Sequence, residues 1–340
     1  MDKKTIRDID VASKRIVLRV DYNVPVEDGV VTDSLRIAAG KPTIDYLLEQ
    51  GCSLVLISHL GEPKNGPEPQ FSLEPVAVKA SEVLGKAVTF VSDCIGAETA
   101  KIVADMKPGD IVLLENLRFH PEESANDEAF AKTLASYGEV YVDDAFAVIH
   151  RAHASLVGIT AFLPSVAGFL VEKEVNSINK AIDNPTRPLV AVIGGAKINS
   201  KIEVLKNLIP RVNALFIGGA MANTFLAAKG LAVGKSLYEP DQIEVAKDII
   251  GQASLAGIEL FLPLDVVVTD NLEMATGVRT VGVSEVGEGD IIADLGPDSV
   301  NQLDELLAQK GTVIWNGPLG ITETPAFAAG SKLLADKIIA

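Results

Sequence analysis

LVAVIGGAKINSKIEVL (189–205) holds the transition on which the fold turns. Five apolar residues, Leu189–Ile193, make a run of strand length; a glycine pair and Lys197 follow, and from Lys201 to Leu208 apolar residues recur at helical spacing. The same order repeats outward. Further strand-like runs are Ile16–Val20, Leu54–Ile57, Ile111–Leu114 and Glu139–Val142 before it, and Ala214–Ile217, Leu260–Leu262 and Thr312–Trp315 after it. Helix-period segments lie between them: Leu35–Leu48, Glu74–Leu84, Ala125–Tyr137, Gln242–Ala256, Val300–Ala308 and Phe327–Ile338. Short strands alternating with helices imply βαβ units. Near-continuous apolar strands imply parallel sheets covered on both faces, a three-layer αβα arrangement. A helical stretch, Val171–Ile182, runs into DNPTRP (183–188), whose prolines suit a boundary. The expected division is 1–171, a connecting helix and linker at 172–186, and 187–340. The Pro- and Gly-rich 61–71 reads as an exposed loop.

Composition narrows the class. The chain has 340 residues, 48% hydrophobic, with 30 basic against 46 acidic side chains and a net charge of −16. Both halves are acidic, so neither is a basic nucleic-acid or membrane-surface module. Two cysteines, Cys52 and Cys94, exclude a disulfide scaffold and suit a reducing cytosol. No apolar run approaches the roughly 18 residues of a bilayer span, and MDKKTIRDID lacks a signal peptide's apolar core. A soluble, cytoplasmic α/β protein is the expectation.

In parallel α/β sheets ligands bind beyond the carboxyl ends of the strands. In the first half those ends carry Asp21 and Asn23, Ser58 and His59, Asn116 through His120 with Arg118, and Asp143-Asp144 followed by His150 and Arg151. Arg36, Arg118 and Arg151 gathered at one edge of an acidic protein point to a small anionic ligand, because guanidinium matches carboxylate and phosphate in pairs of hydrogen bonds. In the second half the ends are glycine-rich: Gly194-Gly195-Ala196-Lys197, Gly218-Gly219-Ala220-Met221, Leu262 to Asp265, and Asn316-Gly317-Pro318-Leu319-Gly320. Glycine admits close backbone approach to phosphates. Lys197 and Lys201, four apart, are placed to project from one face of a helix start.

Three patterns are set aside. GLAVGKS (230–236) is one residue short of a P-loop and follows a helical segment, so it reads as a turn. His150 and His153 have metal-ligand spacing but no third partner, and His153 reads as a hydrogen-bonding residue. No G-x-G-x-x-G follows a strand, which speaks against a dinucleotide dehydrogenase.

Eight segments, in order, carry a family resemblance: RVDYNVP (19–25), SHLGEPK (58–64), LLENLRFHPEE (113–123), YVDDAFAVIHRAHAS (141–155), GGAKINSKIEVL (194–205), IGGAMANTFL (217–226), LPLDVVV (262–268) and WNGPLGITE (315–323). Over its whole length the chain resembles phosphoglycerate kinase. The resemblance implies two Rossmann-like lobes joined by a hinge helix, and reversible phosphoryl transfer between 1,3-bisphosphoglycerate with ADP and 3-phosphoglycerate with ATP, in glycolysis. It implies that Asp21 and Asn23 contact the acid substrate, that Arg36 faces its reacting end, and that His59, Arg118 and Arg151 hold its distal phosphate. Lys197 would stabilise the transferring phosphoryl group, with Arg36 as its catalytic counterpart. Lys201 would bind nucleotide phosphates, with Gly195, Ala196 and Gly219 beside them; Asn316 and Pro318 would line the nucleotide cleft, and Glu323 would accept ribose hydroxyls. Mg2+ would arrive with the nucleotide, and a monomer is the expected state.

Departures from the family pattern are Glu62 for an arginine, Ala147 and Ala220 for glycines, Ser200 for an aspartate and Ile292 for a glycine. The family's G-G-D-T loop, whose aspartate ligates Mg2+, does not occur in these 340 residues. No residue is therefore assigned as metal ligand, and Asp265 is the first acid to examine as a replacement. These departures motivate the alternative of a catalytically weak, ligand-binding relative.

Overall fold

The computed structural model describes residues 3–64, 66–308 and 311–339. The chain divides into two compact units, Met1–Ile178 and Asn179–Ala340. The division falls within the helix Phe169–Asp183, which begins two residues before the expected 171.

The first unit is built on six parallel strands in the order Thr89–Val91, Ile111–Leu114, Ser53–Ile57, Arg15–Arg19, Val140–Asp143, Ser165–Ala167. Side chains alternate across a strand, and here both faces are covered. Ile16, Leu18, Leu54 and Leu56 join one core with Ile37, Ile44 and Leu47 of the Leu35–Glu49 helix. Val17, Val55 and Ile57 join the other, with Phe130, Ala131 and Leu134 of the Glu128–Ala135 helix. The second unit repeats the plan with four parallel strands, Glu259–Phe261, Ala214–Ile217, Leu189–Ile193 and Thr312–Asn316. Leu189, Ala191 and Ile193 face one core, and Val190 and Val192 the other. Both sheets are thus the middle of an αβα sandwich, as the apolar strands imply.

Several elements differ from the sequence reading. A third sheet, Arg279–Gly282, Asp265–Thr269 and Ile291–Leu295, is antiparallel, with a register shift between Val267 and Val268. The Ala125–Tyr137 segment is not one helix. Asn126 adopts φ +54°, and Asp127 starts a new helix by accepting the Phe130 amide at 2.9 Å. The Gly219–Ala228 helix escaped the periodicity search because it is buried nearly all round, from Met221 through Leu226. The Ile202–Leu208 helix begins one residue late, so Lys197 lies in the preceding turn rather than on the helix, and Lys201 is its N-cap.

Candidate active site

In the first unit the strand ends converge on an arginine-lined cavity. Two loops are tied together by Asn116. Its Oδ1 accepts the Leu60 and Arg118 amides at 3.2 and 3.0 Å, and its Nδ2 donates to the Leu60 and Phe71 carbonyls at 2.7 and 2.9 Å. Gly61 closes the approach: at φ +58° a Cβ there would lie 2.4 Å from the Phe71 ring, so only glycine fits. Arg118, 10% exposed, donates Nη1 to the Gly61 carbonyl at 2.7 Å and meets Glu62 Oε1 at 3.4 Å. Arg118, Arg151, His153, Glu62 and Lys64 line a cavity of about 540 Å³.

His59 stands beside this cavity, 3% exposed, with Arg19, Arg118 and Arg151 as its charged neighbours. Burial first, then Arg19, lowers its imidazole from 6.5 to about 2, so it is neutral. Arg19 Nη2 donates to His59 Nδ1 at 3.1 Å; arginine can only donate, which places the ring proton on Nε2. Asn23 Oδ1 accepts the Gly61 amide at 2.9 Å, and Arg36 Nη1 pairs with Asp21 Oδ2 at 2.7 Å. Asp21 is 9% exposed and Arg36 49%, so Arg36 keeps donors free toward solvent. Neither lines the Arg118–Arg151 cavity.

Sequence reasoning missed the layer beneath. Arg19 is 1% exposed and donates Nε to Ser155 Oγ at 3.1 Å and Nη1 to the Val20 carbonyl at 2.6 Å. Ser155 in turn donates its hydroxyl and amide to Glu123 at 2.6 and 2.9 Å. Burial alone would raise the Glu123 carboxyl, but His153, Arg19 and Ser155 outweigh it and hold the group below its ordinary value. His153 Nδ1 lies 3.7 Å from Glu123 Oε1, an attractive contact longer than a hydrogen bond. The available signal was Arg19 itself, a charge ending the apolar run RIVLR.

In the second unit a cavity of about 440 Å³ opens at the glycine-rich strand ends. Gly195, Ala196, Gly219, Pro318 and Glu323, all singled out from sequence, line it. Gly194 and Gly219 are required by backbone packing. A Cβ on Gly194 would lie 2.1 Å from the Pro318 carbonyl oxygen, and one on Gly219, at φ +65°, 2.6 Å from the Gly195 amide. Lys197, Lys201 and Asn316 are not among the lining residues. Lys197 is exposed, and the Lys201 amine contacts Asn316 Oδ1. The 197–201 turn is held by Glu239, whose Oε2 accepts the Ile198 amide at 2.5 Å, and by Ser200 Oγ donating to the Lys197 carbonyl at 3.1 Å. Ser200 therefore has a structural role in place of a charge.

Ile292, which the resemblance sets near the adenine, lines the cavity; its companions Val266, Ile291 and Leu295 from the antiparallel sheet, and Lys235 from the GLAVGKS segment read as a turn, were not foreseen. An apolar slot of this volume, edged by glycine backbone and two carboxylates, Asp294 and Glu323, suits a nucleobase and ribose. Asp265 is unsuited to metal: its carboxylate accepts the Ser299 and Asp298 amides at 2.8 and 3.2 Å and the Ser299 hydroxyl at 2.9 Å, capping the Pro297–Leu307 helix. Asp294, 3% exposed, faces the start of the Ala329–Ile339 helix, with Oδ2 accepting the Gly330 amide at 3.2 Å. Among the described residues, the second unit brings no three potential metal donors together.

An arginine-lined cavity in one α/β unit and a glycine-edged apolar cavity in another are the kinds of pocket a phosphotransferase needs. The phosphoglycerate kinase family model matches residues 6–340. The phosphoglycerate kinase of Moorella thermoacetica is 46% identical over 340 residues, covering 100% of this chain and 86% of that protein. That of Aquifex aeolicus is 50% identical over 339 residues, covering 98% and 85%. The solved structure of the Coxiella burnetii phosphoglycerate kinase superposes with a TM-score of 0.83 at 37% identity, over 99% of this chain and 85% of that one. That of Pyrococcus horikoshii superposes at 0.85 and 28%, over 98% and 85%. The chain belongs to the phosphoglycerate kinase family. It is a kinase that moves a phosphoryl group reversibly between 1,3-bisphosphoglycerate with ADP and 3-phosphoglycerate with ATP. Among the described residues no helix is long and apolar enough to cross a membrane.

Proposed function

We propose that residues 1–171 bind the three-carbon acid and that residues 187–340 bind the nucleotide, with 172–186 as the connecting hinge. Arg118 and Arg151 hold the phosphate distal to the reacting carboxyl, and neutral His59 donates Nε2–H beside them. Asp21 and Asn23 orient the hydroxyl and carboxyl end, and Arg36 faces the group being transferred. Lys197 neutralises charge on that group, and Lys201 binds nucleotide phosphates. Gly195, Ala196, Gly219, Asn316 and Pro318 form the nucleotide's bed, and Glu323 accepts its ribose hydroxyls.

The observation that carries this reading is the Arg118–Arg151 cavity with His59 held neutral beside it. Phosphoryl transfer depends on alignment and on neutralising oxygen charge rather than on covalent catalysis, which is what arginine and lysine at strand ends supply. Mg2+, arriving on ADP or ATP, adds charge neutralisation at the phosphates. The enzyme works in the cytoplasm as a monomer.

Calorimetric titration with 3-phosphoglycerate, paired with an ATP-forming coupled assay, tests the assignment. Arg118→Ala and Arg151→Ala are expected to weaken 3-phosphoglycerate binding while leaving ADP binding unchanged. Unchanged acid affinity in both would remove the distal phosphate from this cavity.

A further inference from the structure

We propose that Asp93, Cys94 and His120 form a site for one thiophilic divalent cation of the Zn2+ or Cd2+ class, separate from the nucleotide's Mg2+. The topology makes the juxtaposition. Thr89–Val91 and Ile111–Leu114 are neighbouring parallel strands in register from Thr89↔Val112 to Val91↔Leu114, so the loops leaving their carboxyl ends emerge side by side. One loop carries Asp93 and Cys94, and the other carries His120 at the end of the Leu117–Phe119 turn. A carboxylate oxygen, the thiol sulfur and a ring nitrogen all lie within 4.8 Å of one another, the one such trio among the described residues.

Asp93 Oδ1 accepts the Cys94 and Ile95 amides at 2.6 and 3.4 Å but, unlike the buried Asp265, the side chain stays open to solvent in front. Cys94 is fully buried, and its Sγ donates to the Glu115 carbonyl at 2.8 Å. Thr99 Oγ1 donates to the Asp93 carbonyl at 3.2 Å and pins that loop. The His120 ring packs on Phe130 with centroids 5.3 Å apart and points Nε2 at Asp93 Oδ1, 2.7 Å away. The Asp93 side chain is 53% exposed and that of His120 22%, which leaves a path from solvent and a position for water as fourth ligand.

Bond lengths of about 2.0–2.3 Å to oxygen, nitrogen and sulfur put tetrahedral ligand atoms roughly 3.5 Å apart. Side-chain rotation of about 1 Å therefore closes the trio around a cation. On binding, the Cys94 S–H proton leaves to solvent, and an S–metal bond replaces the hydrogen bond to Glu115. A sulfur–imidazole–carboxylate set selects Zn2+ or Cd2+, whereas Mg2+ prefers an all-oxygen shell. The cation would bridge the 93–94 loop to the turn that carries Arg118.

The test is titration of the reduced, metal-free chain with Cd2+ and Zn2+, by calorimetry and by cadmium–thiolate ultraviolet absorption, with and without excess Mg2+. The expected result is one equivalent bound with a thiolate band and proton release, undisturbed by Mg2+ and retained in Cys52→Ala. Cys94→Ala should abolish the band. Should that buried replacement fail to fold, Asp93→Asn and His120→Asn decide: each should weaken binding by at least the roughly 10- to 100-fold that loss of an outer-shell partner costs. Absence of the band, its persistence in Cys94→Ala, or unchanged affinity in both Asp93→Asn and His120→Asn would overturn the site.

Discussion

Arg19 Nη2 stands 3.1 Å from His59 Nδ1, and both side chains are buried beside Arg118 and Arg151. A base whose folded pKa is depressed stays neutral while the unfolded chain takes up its proton. Its contribution to stability is therefore complete above about pH 6.5 and is lost as pH falls below that value. The His59 ring proton shifts should stay flat between pH 8 and 5 in a nuclear magnetic resonance titration, and His59→Gln should flatten part of the acid-side fall in melting temperature. A His59 midpoint near its ordinary 6.5 would contradict the buried pairing.

Arg19 should matter for stability as much as for binding. It reaches Glu123 through Ser155, and Glu123 is 1% exposed. Arg19→Met would leave a buried carboxylate without its positive neighbour, at a cost of about 3 kcal/mol or more. Urea unfolding measures it; a loss below about 1 kcal/mol would mean that the network repacks or that Glu123 takes up a proton.

Glu62 competes with the substrate for Arg118. It meets Nη1 at 3.4 Å yet is 75% exposed, so solvent and salt weaken the repulsion it exerts on a phosphate. Glu62→Arg should tighten 3-phosphoglycerate by about 1 kcal/mol at low salt, with the gain shrinking as salt is added. Equal affinities of the two proteins at low salt would show that Glu62 swings clear.

Arg36 and Lys201 should separate turnover from affinity. Arg36 keeps donors free beyond its 2.7 Å pair with Asp21. Arg36→Ala should lower kcat on the order of 100-fold with a smaller change in acid affinity, the mark of a donor used in the transition state. Lys201→Ala should mainly raise the Kd for ADP. A kcat retained in Arg36→Ala, with only KM raised, would reassign Arg36 to ground-state binding.

Asp144 caps the connecting helix, accepting the Leu170 amide at 2.8 Å and the Val171 amide at 3.3 Å with Oδ1, while its buried Oδ2 has no partner. Burial raises its carboxyl from 3.8 to about 6. The folded state therefore binds the proton more tightly, and stability from this group is greatest at low pH and is lost as pH rises from about 4 to about 6. Asp144→Asn keeps the capping oxygen and removes the buried charge. Its melting temperature relative to the parent should rise with pH across that window and level off above it. A difference independent of pH would mean that the Asp144 carboxyl titrates alike in the folded and the unfolded chain.

The sequence by itself determined the two parallel sheets and the residues at their ends. Short β-branched apolar runs such as Ile111–Leu114 and Leu189–Ile193, bounded by turn residues and alternating with helices, read as strands covered on both faces, and chain direction then puts Asp21, His59, Arg118 and the glycine pairs at carboxyl ends. Local pattern suffices there because burial and periodicity act over a few residues. Tertiary structure decided what depends on long-range approach. Arg19 meets Ser155 across 136 positions of chain, and Glu239 holds an amide 41 positions away. The antiparallel sheet that walls the second unit's cavity is held by pairing between segments whose alternation is interrupted by a register shift. Asp93, Cys94 and His120 come together because two successive strands, joined through a helix, lie side by side in the sheet. No spacing rule encodes such meetings, since their geometry is set by sheet order and not by sequence separation.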